Sequence, residues 1–112
     1  MTDKVLVLST CGSAEEGERI ARMLLEQRLA ACVNVVAPIR SFYWWQGKVE
    51  DSPECLLVIK SSRHLFDRLR VALEAAHSYE VPEILVLPIV DGSANYLNWM
   101  DENLESPQGE TP

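Results

Sequence analysis

The spacing of hydrophobic positions changes several times along this chain, and each change marks an element. Val5 to Leu8 is a continuous apolar run, which reads as a strand buried on both faces. Ser9-Thr10-Cys11-Gly12 follows as a loop. Ser13-Ala14-Glu15-Glu16 makes a capping box, in which Ser13 accepts from the Glu16 amide while Glu16 reaches back. The helix it opens runs to about Arg28 and buries Ile20, Ala21, Leu24 and Leu25 on one face. Two strand arms come next, Cys32 to Trp45 and Lys48 to Ser61, with Gln46-Gly47 as the hairpin turn. Pro38 and Pro53 mark irregularities in the arms, because neither can donate to a ladder. Ser62 opens a second helix with Leu65, Phe66, Leu69, Ala72, Leu73 and Ala76 at helical spacing. His77 to Pro82 is a connector, and Ile84 to Val90 is a strand interrupted by Pro88. Asp91-Gly92 turns the chain, and Ser93 caps a short last helix carrying Leu97, Met100 and Leu104. Glu105 to Pro112 is polar with two prolines and is expected to be a disordered tail.

The order β-α-β-β-α-β plus a terminal helix predicts an α+β fold on the ferredoxin-like plan, one domain over residues 1–104. Right-handed crossovers put both main helices on one face of the sheet. The hairpin is too long for this plan. An arm of about 13 residues spans roughly 43 Å, whereas helices of about 16 residues span about 24 Å. Its outer part carries Phe42, Tyr43, Trp44 and Trp45. Four uncovered aromatics would make an exposed apolar patch that soluble monomers avoid, so further copies of the chain are expected to cover it. The other sheet face, apolar as well, calls for the same partner. Tyr96 and Trp99 on the last helix read as packing or interface anchors.

Composition narrows the function. A hydrophobic share of 47% makes the chain globular rather than disordered. Seventeen acidic against ten basic residues, net −7 with no Lys or Arg run, argue against nucleic acid, which needs a basic face. No apolar run approaches a membrane span, and Met1 leads into a strand without a signal-peptide pattern. Three cysteines with no close spacing suit a reducing cytoplasm better than a disulfide scaffold.

Topology brings the end of strand one and the end of helix two to the same edge. Ser9, Thr10 and Cys11 should therefore lie near His77, Tyr79 and Glu83, with Cys32 at the opposite end and Cys55 away from both. Cys11 and His77 form the one soft-ligand pair this plan assembles, and a thiolate with an imidazole suits copper or zinc. The alternative is that Cys11 is a small loop residue and His77 a helix C-terminal residue stabilised by the dipole. Tyr79 and Glu83 flank Pro82 in a connector and suggest a ligand cleft, with Lys60 as a further contact or a solvated strand lysine. No G-x-S-x-G, Gly-rich phosphate loop or Ser/His/Asp order is present, so neither an enzyme nor an organic cofactor is expected.

Several segments together resemble the CutA family of divalent-cation tolerance proteins, from about Val5 to Leu104. They are Arg28-Leu29-Ala30-Ala31-Cys32-Val33-Asn34, Tyr43-Trp44-Trp45-Gln46-Gly47-Lys48, His77-Ser78-Tyr79-Glu80-Val81-Pro82-Glu83 and Tyr96-Leu97-Asn98-Trp99. The resemblance implies a homotrimer built like the PII signalling proteins, binding of copper or another divalent cation, and a link to metal tolerance. In the enterobacterial form, the proposed copper ligands are a cysteine ending strand one and paired histidines before the Tyr. Here Ser9 stands at that cysteine's position, with Cys11 two residues on, and Ala76 replaces the first histidine, leaving His77. A trimeric signalling or scaffolding module, binding a small ligand in clefts between subunits, is the second function these residues allow.

Overall fold

Strand β1 spans Lys4–Cys11 and so runs through the Ser9-Thr10-Cys11 segment that composition reads as loop. The extension follows from pairing. Every β1 residue out to Cys11 has a partner on β3, ending at Cys11↔Cys55. The computed structural model describes residues 2–107. After β1 come α1 (Ala14–Glu26), β2 (Cys32–Trp45), β3 (Lys48–Ser62), a 3₁₀ turn (Arg63–Leu65), α2 (Phe66–Ala76), β4 (Leu85–Pro88) and α3 (Ala94–Asn103). The sheet order is β2-β3-β1-β4 with every pair antiparallel, which is the expected ferredoxin-like arrangement.

Capping sets the helix starts. Ser13 accepts from the Glu16 amide at 3.1 Å, but the Glu16 carboxylate reaches one residue further back, to the Gly12 amide at 3.3 Å. Ser93 caps α3 by accepting from the Tyr96 amide. Ser62 makes no such bond, and the chain enters α2 through the 3₁₀ turn. The core lies between the sheet and α1 with α2. Val5, Val7, Ile20, Leu24, Leu57, Ile59, Leu69 and Leu73 are buried there. Leu25, expected on the buried face of α1, is 39% exposed, and Gly17 takes a buried place instead. Lys4 is buried at the far end, held by Asp3 at 2.6 Å and Asp101 at 2.7 Å, which docks α3 onto β1.

The hairpin arms are 14 and 15 residues long. Gln46 and Gly47 both have positive φ, as a tight two-residue turn with right-handed strand twist requires. The ladder shifts between Val36 and Ile39, around Pro38. Pro53 causes no shift and pairs in register with Arg40. The molecule measures 52 × 26 × 23 Å, and the hairpin accounts for the long axis. Phe42, Tyr43, Trp44 and Trp45 are exposed, as are Val36, Leu85 and Leu87 on the sheet face away from the helices. Residues directly opposite in register share a face, so Leu6, Leu8, Leu56 and Val58 belong to that apolar surface too.

Glu105, expected to open a disordered tail, is held in place, its amide donating to Arg28 O and its carboxylate lying 2.7 Å from Arg68. Residues 108–112 of the expected disordered segment lie outside the described residues. Among the described residues, no helix is long and apolar enough to cross a membrane.

Candidate functional site

The C-terminal ends of β1 and α2 meet, as the topology requires. His77 caps α2, its side chain fully buried, and its ring joins two segments. Nε2 lies 2.7 Å from the Thr10 carbonyl, and Nδ1 accepts from the Tyr79 amide at 2.9 Å. In the neutral ring this makes Nε2–H the donor to Thr10. Both ring nitrogens are thereby occupied.

Glu16 organises the same end. Its carboxylate accepts from the Ser78 amide at 2.8 Å, the Ser78 hydroxyl at 3.0 Å and the Gly12 amide. Burial alone would raise its pKa. The Ser78 and Gly12 bonds and the nearby His77 outweigh that, so its carboxyl sits below the ordinary value. Glu16 is thus the hub joining α1 to the connector, a role invisible in a helix-capping reading. The sign of the pH effect follows from the lowered pKa. The stabilisation is present above the unfolded-state carboxylate pKa and is lost as pH falls through the folded value. Glu16→Gln removes the charge and one acceptor, and is expected to cost about 1.5–3 kcal/mol at neutral pH, the range for charged hydrogen bonds. Urea unfolding of parent and variant should show the gap closing below about pH 4, where unfolded carboxylates protonate.

Tyr79 donates its hydroxyl to Glu54 at 2.7 Å. Burial first, then the Glu54 carboxylate, push its phenol above the usual range. These two residues line a cleft of about 700 Å³ together with Thr10, Ser41, Phe42, Tyr43, Trp45, Glu80, Val81 and Glu83. The expected contacts Tyr79 and Glu83 are therefore there, beside three of the hairpin aromatics. Pro82 does not line it. Lys60, expected as a further contact, does not line it either. It pairs with Cys32 and Leu6 toward the other end of the sheet, where it donates to Asn34. Strand register carries it away from the cleft. Glu54 and Glu80 had no sequence signal, because only the hairpin register and the connector's path bring them beside Tyr79. Tyr96 and Trp99 stack with ring centroids 5.4 Å apart, both about two-fifths exposed.

The cysteines also differ from expectation. Cys11 meets His77's neighbour Thr10 along the chain, but its own side chain turns into the helix layer. Its thiol donates to Ser13 O at 3.5 Å and is fully buried. Burial, and then Cys55 beside it, push the thiol up to about 12. Cys55, expected to stand apart, is its direct partner across the ladder. The three thiols are free, and Cys32 is at the opposite end as predicted. A copper site of Cys11 and His77 does not fit this arrangement, because the sulfur faces the core and both imidazole nitrogens are engaged. Among the described residues, no three His, Cys, Asp or Glu side chains are grouped to hold a metal ion.

Comparison with known proteins places the whole arrangement. The sequence pattern of the family described as CutA1 divalent ion tolerance protein matches residues 5–103. A divalent-cation tolerance protein CutA of Thermus thermophilus is 47% identical over 88% of this chain and 95% of its own. Its solved structure superposes with a TM-score of 0.88, covering 91% of this chain and 99% of that one at 45% identity. CutA1 of Oryza sativa gives 0.89 at 41% identity, covering 91% and 94%. A structure described as the periplasmic divalent cation tolerance protein CutA of Archaeoglobus fulgidus gives 0.88 at 43% identity, covering 91% and 99%. Sequence and fold agree along nearly the whole chain, and it belongs to the CutA family of divalent-cation tolerance proteins.

Proposed function

We propose that this chain serves divalent-cation tolerance as a homotrimer on the PII-like plan, a binding protein rather than an enzyme, and that its cation is met in the cleft beside the aromatic hairpin. The observation that carries this is the cleft's charge. Glu54, Glu80 and Glu83 line it, and no Lys, Arg or His does. An acidic concavity with low-dielectric aromatic walls concentrates cations, so the three carboxylates, which are not grouped as a coordination shell, act on the ion through their summed field. Nucleotide phosphates find no basic group among those lining residues, which weighs against that ligand class for the scaffolding alternative. The PII-like trimer is supported by the exposed aromatics and the open apolar sheet face. Free thiols at Cys11, Cys32 and Cys55 favour a reducing compartment, which we take to be the cytoplasm.

Calorimetric titration with Mn(II), Zn(II) and Cu(II) tests the reading. Glu54→Gln and Glu83→Gln should each weaken binding about tenfold, the equivalent of roughly 1.4 kcal/mol. His77→Ala should leave it unchanged. The reverse pattern, with binding lost in His77→Ala or Cys11→Ser and kept in the glutamine variants, would restore the copper site and remove the cleft from consideration.

A further inference from the structure

The cleft beside the hairpin has walls of two kinds. Tyr43 and Tyr79 supply rings whose hydroxyls are anchored. The Tyr43 hydroxyl lies 3.2 Å from Ser52 Oγ, and the Tyr79 hydroxyl donates to Glu54 at 2.7 Å. The His77 ring supports Tyr79 from behind, with centroids 4.8 Å apart. Glu54, Glu80 and Glu83 supply carboxylates. Among the described residues, none of the three pairs with Lys, Arg or His. One comes from β3 and two from the connector, and they do not converge as a metal-holding group. Glu54 lies opposite Ile39, well down the arm from the Trp45↔Lys48 row at the tip. A neighbouring copy that covers the tip does not thereby close this wall.

The two kinds of wall select an organic cation. A bare hard metal ion wants several oxygens gathered round one point, and carboxylates that stand apart do not give it that. An ammonium group needs only one carboxylate to accept its hydrogens. Several ammoniums on one chain therefore suit several separated carboxylates. The methylenes between them can lie along ring surfaces, as a lysine stem lies along apolar surface. An ammonium beside a ring also gains cation–π attraction. The hairpin already makes this combination once within the chain. The Arg40 guanidinium donates to Asp51 at 2.8 Å and lies 5.3 Å from the centroid of the Phe42 ring. The volume of about 700 Å³ falls in the range of small-molecule sites. We propose that the cleft binds a linear aliphatic polyamine, with its nitrogens on Glu54, Glu80 and Glu83 and its methylenes against Tyr79 and Tyr43. The polyamine takes the acidic cleft on which the proposed function rests, and needs its rings as well as its field.

Calorimetric titration of the parent protein with spermidine and with hexaamminecobalt(III) separates rings from field, because the two ions carry the same charge and only spermidine has methylenes. Spermidine should bind about tenfold more tightly. Its methylene proton resonances should also move upfield on adding protein, through the ring currents of the cleft. Glu54→Gln and Glu83→Gln should each weaken spermidine about tenfold. Tyr79→Leu should bring spermidine down to the level of the cobalt complex and leave Mn(II) binding unchanged. Equal affinity of the parent for the two ions overturns the polyamine, as do methylene resonances that stay in place. Both results come from the parent protein and do not depend on whether a variant folds. If Mn(II) still binds in that case, the proposed function stands and the polyamine alone falls. Spermidine bound with shifted methylenes, and no Mn(II) bound, supports the polyamine and removes the metal from the cleft. Binding of neither overturns both.

Discussion

Tyr43→Ala and Trp45→Ala are each expected to break the assembly into smaller species at micromolar concentration and to lower the melting temperature. In the isolated chain Tyr43 is 42% and Trp45 59% exposed, on a hairpin that outruns both helices. Neither ring has a helix of its own chain to lie under. In the proposed trimer another copy buries both, and truncating a fully buried ring costs about 3–5 kcal/mol. The loss recurs at each symmetric contact of a homo-oligomer. Because assembly and folding are linked by mass action, the melting temperature of the parent should rise with protein concentration. Sedimentation velocity and thermal unfolding at two concentrations measure both effects. A monomeric parent would remove the trimer. An unchanged variant would place that ring outside the interface.

Leu57→Ala should be the most damaging substitution within a single chain. Leu57 is fully buried at the centre of β3, opposite Ser9 and Val35 in register. One of its methyls lies 3.3 Å from where a Gly17 Cβ would stand, so it fills the floor under α1. The helix above cannot sink further without meeting the Cys55 sulfur, and the cavity will not collapse. A cost of about 2–5 kcal/mol is expected, against a total of roughly 5–15 for a typical domain. In urea the midpoint should fall with the slope unchanged. Leu25→Ala is the matched control. It has the same chemistry on α1 but a side chain 39% exposed, so about 1 kcal/mol or less is expected. Equal losses at the two positions would mean that α1 is rotated from the orientation described.

Most of the fold was legible because local signals and topology agree. Ser13 and Ser93 cap their helices, Gln46-Gly47 turns the hairpin, and the strand order follows from the sequence of elements. The placement of His77 beside Thr10, and of Tyr79 and Glu83 in one cleft, also followed from direction alone. Register was not legible. Residues on paired strands meet according to an alignment that can slide by one or two positions, and one step reverses the face of every side chain. That alignment set Cys55 against Cys11, carried Lys60 away from the cleft, and brought Glu54 to Tyr79. Helix rotation was the second unknown, and it exposed Leu25 while pressing Gly17 against two sulfurs. Patterning alone determined the order of strands and helices, that the hairpin outreaches its helices, and which family motifs the chain carries, while pairing extended β1 to Cys11 and confined the strand expected over Ile84 to Val90 to Leu85–Pro88. Only tertiary structure decided which side chains share a site, because contacts between distant segments depend on register and rotation, and neither leaves a periodic trace in the sequence.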